Sequence, residues 1–238
     1  MPDVPGSAET APLQMPRPGG ALARRELHFL WLLDVSGSMN ADGKIQALNV
    51  AIRESIPQLQ AAARDNPNVD VRVRAIVFSN GARWHIEQPA PVAELRWTDA
   101  VAGGHTDMAA AFRLAAQALA TPPMPERAVS PAIVLVTDGH HTDDFDAGLA
   151  ELMDTHWGRE AVRLAVAIGR DVNLGALQAF IGNDALRPMT ADNPEALVQQ
   201  IRWLSRSAVE SVSHVADAAG RRAVPGGTPP QDDLAVEW

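Results

Sequence analysis

From residue 27 onward the chain alternates short apolar runs with longer stretches whose apolar positions recur at helical spacing. Leu27 to Leu33 and Ala132 to Val136 read as strands buried on both faces, as the strands of a parallel sheet are. Ile45, Leu48, Ile52, Ile56, Leu59 and Ala63 predict a helix, which Pro57 should kink. Val69 to Phe78 alternates, with Val71, Val73, Ala75 and Val77 on one face and Arg72 and Arg74 on the other; this predicts a strand with one side toward water. Gly81 and Ala82 to Glu87 predict a hairpin to an antiparallel edge strand, followed by a loop carrying Pro89 and Pro91. Met108, Phe112, Ala115 and Leu119 mark the next helix, stopped by Pro122, Pro123 and Pro125. Beyond the Ala132 strand the pattern predicts a helix around Asp146 to Trp157, a strand from Val162 to Ile168 and a short helix through Leu174, Leu177 and Phe180. A short strand near Ala185 to Met189 and a helix from Pro194 to about Ser207 complete the set.

Strand and helix in alternation predict an α/β fold: a doubly wound, mostly parallel central sheet with one antiparallel edge strand and helices on both faces. Leu33, Ile52, Phe112, Leu135 and Ile168 are its expected core. The 238 residues, 46% of them hydrophobic, suffice for one substantial core, so the expectation is a single domain at 23–216. Residues 1–22 and 217–238, rich in Pro and Gly, read as flexible tails. The apolar end Leu234 to Trp238 is suited to docking on a groove or a sheet edge.

In such a sheet, ligands bind where loops leave the carboxyl ends of strands, at the point where strand order reverses. The polar segment Asp34-Val35-Ser36-Gly37-Ser38 leaves the first apolar run, and Val136-Thr137-Asp138-Gly139 leaves the second. Between them lies Gly103-Gly104-His105-Thr106-Asp107. Carboxylates and hydroxyls are hard oxygen donors, suited to magnesium, manganese or calcium rather than to zinc or copper. Two carboxylates offset the charge of a divalent cation and three hydroxyls add none, so the ion would remain attractive to an incoming carboxylate. The glycines let the backbone turn close to it.

These three segments, in this order, resemble the von Willebrand factor A (VWA) domain with its metal-ion-dependent adhesion site (MIDAS). The resemblance spans roughly residues 26–212. It implies that Ser36, Ser38 and Thr106 touch a cation directly, that Asp34 and Asp138 hold it largely through water, and that a partner's acidic group takes the remaining position. Ala47 to Pro57, Thr137 to Asp144 and Arg202-Trp203-Leu204-Ser205 look most like bacterial TerY-type proteins. That likeness implies a binding module in stress or tellurium-resistance systems, with a protein phosphatase or kinase as partner. His105 departs from the shorter glycine–threonine link of many relatives. With His140 and His141 it is expected on the rim of the site, where it would contact the partner.

A formal charge of −9, from 20 Lys and Arg against 29 Asp and Glu, argues against nucleic acid and anionic membranes as partners. Lys44 is the one lysine. Without cysteine there are neither disulfides nor thiolate metal sites. Met1 to Gly20 lacks the basic start and apolar core of a secretion signal, so the expectation is a cytoplasmic protein. The rival reading is a metal-dependent hydrolase or phosphatase using Asp34 and a nearby histidine. Against it, Ser36 stands where the haloacid dehalogenase pattern has a second aspartate, and neither a phosphate loop nor a nucleophile elbow occurs. A metal-independent scaffold is the third reading. Asp107 is expected to cap the helix it precedes, and Asp143, Asp144 and Asp146 to form a helix N-terminal cluster. Trp84, Trp97 and Trp157 are expected in packing.

Overall fold

In a computed structural model, residues 24–66, 69–170 and 172–217 are described, the last seven by backbone alone. The tails expected at 1–22 and 217–238 lie outside these residues, except that Asp217 is the last residue of the final helix. The sheet has six strands in the order β3-β2-β1-β4-β5-β6. They are β1 (Arg25–Asp34), β2 (Val69–Ser79), β3 (Gly81–Pro91), β4 (Ala132–Thr137), β5 (Val162–Ile168) and β6 (Met189–Ala191). All neighbours run parallel except β2 and β3, which form the expected hairpin at the edge. Strand order reverses between β1 and β4, the place where such sheets bind ligands.

The two faces of β1 divide the core. Leu27, Phe29, Trp31 and Leu33 pack with α1 (Lys44–Asp65) and α6 (Pro194–Asp217). Leu30 and Leu32 pack with α2 (Met108–Ala118), α3 (Phe145–Asp154) and α5 (Leu174–Ile181). All five residues expected in the core are buried. Half of β2 departs from the expected alternation: from Ala75 to Phe78 both faces are covered, because α2 packs over the outer one.

Four boundaries differ from expectation. The loop with Pro89 and Pro91 is the end of β3, where an edge strand tolerates residues that donate no ladder hydrogen bond. The helix around Asp146 to Trp157 is two, α3 and α4 (His156–Glu160). Thr155 separates them in extended conformation, its hydroxyl accepting from Gly158 N. The last strand pairs three residues at Met189, later than expected, and α6 continues past Ser207 with Ala208 and Val209 still buried. Through Pro57, α1 runs as one 22-residue helix.

Candidate metal centre

Asp34 is the last residue of β1 and fully buried. Its Oδ1 accepts from Ser36 N at 2.8 Å, an Asx turn that fixes the loop leaving the strand. Its Oδ2 accepts from the Thr137 hydroxyl at 2.5 Å, tying the ends of β1 and β4 together. Val35 extends the β1–β2 ladder by one bond, Val35 N to Phe78 O, and Met39 sinks into the core. The loop is thus anchored on both sides of its serines.

The glycine pair lies against this loop. Gly103 N donates to Val35 O at 2.8 Å and Gly37 N to Gly104 O at 2.9 Å, so two loops distant in sequence are bonded backbone to backbone. Gly104 has φ +94°, and a Cβ there would come within 2.8 Å of Asn80 Cγ. The same Asn80 accepts from His105 N. Upstream, Asn49 on α1 is buried and pins the approach: its Nδ2 donates to Ala100 O, and its Oδ1 accepts from Ala100 N and Trp97 Nε1.

The third loop closes on the second. Thr106 N donates to Thr142 Oγ1 and Thr142 N to Thr106 O, while the Thr142 hydroxyl donates to Asp107 Oδ1. Asp107 therefore does not cap α2 with its side chain; its Oδ2 accepts from Gly81 N in the β2–β3 turn. The α2 cap comes from Asp143, whose Oδ2 accepts from Ala110 N, and Asp144 caps α3 through Ala147 N. Position in sequence could not reveal a cap supplied from 33 residues away.

Within this frame the oxygens converge. Ser38 donates to Asp138 Oδ1 at 2.7 Å, and the Ser36 and Ser38 hydroxyls are 3.0 Å apart. A Cβ placed on Gly139 would lie 3.8 Å from Thr106 Oγ1 and 4.0 Å from Ser38 Oγ, so glycine keeps the space between them clear. All five residues singled out in the sequence, Asp34, Ser36, Ser38, Thr106 and Asp138, belong to this one bonded set of loops. Burial pushes the Asp34 carboxyl up from its ordinary 3.8 to about 6, against the hydrogen bonds from Ser36 and Thr137; a nearby divalent cation would relieve that cost. Hard oxygens alone, two carboxylates and three hydroxyls, fit magnesium, manganese or calcium.

The histidines do not join them. His105 and His140 are exposed, and His141 stacks on Phe145 with its Nδ1 3.2 Å from Asp143 O. Among the described residues, no three His, Asp or Glu side chains gather as a metal-ligating group; the oxygens here are mostly hydroxyls. The sequence reading gave Lys44 no place in the site. Its Nζ donates to Asp138 Oδ2 at 2.9 Å from the first residue of α1. Trp97 is half-buried against Trp31, and Trp157 is buried as expected.

A family profile of the von Willebrand factor type A domain matches residues 29–141, the stretch that holds all three loops up to His141. The fold is shared with solved structures of such domains. A von Willebrand factor type A protein from Catenulispora acidiphila is 17% identical with TM-score 0.59, over 78% of this chain and 43% of that one. The ArnB paralog VWA2 from Sulfolobus acidocaldarius is 14% identical with TM-score 0.55, over 76% and 45%. Proximal thread matrix protein 1 from the mussel byssus, in a structure with a zinc-occupied MIDAS motif, is 14% identical with TM-score 0.58, over 79% and 46%. The chain spans less than half the length of each. No curated protein matches the sequence. Residues 29–141 thus match the von Willebrand factor type A family model, and the doubly wound sheet has the fold of solved domains of that class.

Proposed function

We propose that this domain is a metal-dependent protein-binding module, with Ser36, Ser38, Thr106, Asp34 and Asp138 holding one divalent cation, Mg2+ first among Mg2+, Mn2+ and Ca2+. The observation that carries this reading is the convergence of Ser36, Ser38 and Asp138 oxygens within hydrogen-bond distance across 100 residues of sequence. Bound there, the cation supplies a Lewis-acidic face to which a partner's Asp or Glu adds the last ligand. Asp34 and Asp138 supply the negative charge, the three hydroxyls orient without adding to it, and Gly139 leaves the approach open. The zinc-occupied motif of the mussel protein supports a divalent ion at such a site.

The partner is a protein that presents a carboxylate, and the exposed His105 and His140 with the half-buried His141 form the rim it meets. The likeness of residues 47–57 and 137–144 to TerY-type proteins supports a cytoplasmic bacterial role in stress, tellurium resistance or phosphosignalling, beside a protein phosphatase or kinase. Among the described residues, no helix is long and apolar enough to cross a membrane. The module binds and does not catalyse: the Asp34 carboxylate is fully buried and bonded at both oxygens, a poor posture for a nucleophile.

The test is capture of partners from native lysate with and without chelator, beside Asp34→Ala and Thr106→Ala, each checked for folding by circular dichroism. Capture that is lost with chelator and in both variants is expected. Capture indifferent to all three treatments would point to a scaffold. Hydrolysis of a phosphate ester that vanishes in Asp34→Ala would point to the hydrolase.

A further inference from the structure

Lys44 occupies a position that its own helix disfavours. It is the first residue of α1, where the helix dipole and free N–H groups carry partial positive charge and acidic side chains are preferred; the first turn holds none. The turn that delivers it is unusual as well: Asp42 has φ +52° and Gly43 φ +76°, two left-handed residues in succession. What compensates is Asp138. The ammonium lies 2.9 Å from Oδ2 of a carboxylate whose side chain is wholly buried, while its own side chain is 14% exposed. The other oxygen of that carboxylate accepts from Ser38 at 2.7 Å. Asp138 is thus satisfied on both sides, by a hydroxyl and by a tethered cation.

From this geometry we infer that Lys44 is a built-in counter-ion of the site: it holds Asp138 when no divalent cation is present and leaves it when one binds. The inference rests on the metal-binding reading and adds a regulation to it. A buried carboxylate left unpaired is costly, so a site that is emptied needs a substitute charge. An ammonium on a flexible four-carbon stem supplies one and can swing away into solvent. The same ammonium repels an arriving divalent ion, so the two compete for Asp138 and each weakens the other. Lys44 therefore lowers metal affinity, and an acidic partner that adds a ligand raises it.

Because Lys44 is the only lysine, it can be read directly. Acylation of the full chain with an acetyl succinimidyl ester, mapped by mass spectrometry, should be slow at Lys44 in chelator and several-fold faster in saturating Mg2+ or Mn2+. The N-terminal amine serves as the internal standard. In parallel, calorimetric titration of Mn2+ should show Lys44→Met and Lys44→Gln binding roughly tenfold more tightly than the native chain, with Lys44→Arg unchanged. In chelator the two neutral variants should melt below the native protein, a deficit that disappears in metal. If the native chain binds metal but neutral variants bind no tighter, or metal leaves Lys44 acylation unchanged, the counter-ion role is overturned and the site stands. If neither native chain nor variants bind metal, both are overturned.

Discussion

Two groups of buried and half-buried charge lie at opposite ends of β1, and they are settled in opposite ways. At its start, Glu26 and His28 face Asp70, Arg72 and Arg74 of the parallel strand β2. Arg72 Nη2 is 2.6 Å from Asp70 Oδ2, His28 Nε2 is 3.0 Å from Glu26 Oε2, and Arg74 lies over the Trp84 ring at 5.6 Å. The close pairs there form along each strand, and Arg72 also lies 3.8 Å from Glu26 across the ladder, so acids and bases balance among neighbouring side chains. At its end, Asp34 and Asp138 share a single ammonium, on Asp138; Asp34 is held by the Ser36 amide and the Thr137 hydroxyl. The contrast separates charge balanced by neighbouring side chains from charge left to backbone and hydroxyl dipoles and one lysine, which is the arrangement the proposed cation would complete.

The largest effect that would break this comparison is on Asp34. Its folded-state pKa, about 6, stands above the ordinary 3.8, so the metal-free native state takes up a proton more readily than the unfolded chain. Its contribution to stability is therefore fully favourable below pH 4, falls as pH rises toward 6, and stays low above. The two-unit difference corresponds to about 3 kcal/mol. In chelator at pH 7.5, Asp34→Asn should thus be more stable than the native protein by up to about 3 kcal/mol in urea unfolding, the gain vanishing near pH 4. A destabilised variant in chelator would mean that the carboxylate is satisfied without metal, like those at the other end of the strand.

A middle-sized effect sharpens the role of the frame. Asn49→Ala removes three hydrogen bonds and strands the Trp97 indole and the Ala100 amide. Unfolding should cost about 2 kcal/mol less, and Mn2+ affinity should fall although Asn49 touches no site oxygen. The smallest effect is expected at the strand start. Arg72 is 26% exposed at its side chain and its pairs are partly screened, so Arg72→Met should change stability by less than about 1 kcal/mol and leave metal affinity alone.

The sequence made the strand ends legible because each candidate loop follows an apolar run, and a buried run must surface where its polar residues begin. Asp34, Ser36, Ser38 and Asp138 could be read in this way, and Thr106 through its glycines. What escaped notice depends on contacts between segments. Lys44 looks like any solvated residue at a helix start until Asp138, 94 residues on, is placed beside it. Asp107 looks like a cap until Asp143 is seen filling that role. The break at Thr155 and the reach of α6 beyond Ser207 follow from packing, through the close approach of Gly158 to Leu152 O and the burial of Ala208 and Val209.

The central claim is that oxygens from three loops form one cation site, and titration calorimetry of Mg2+ and Mn2+ into the folded chain tests it most directly. One ion per chain is expected, with binding abolished in Thr106→Ala while that variant keeps its native circular dichroism. Absence of any binding to the folded native protein, or unchanged affinity in Thr106→Ala, would contradict it.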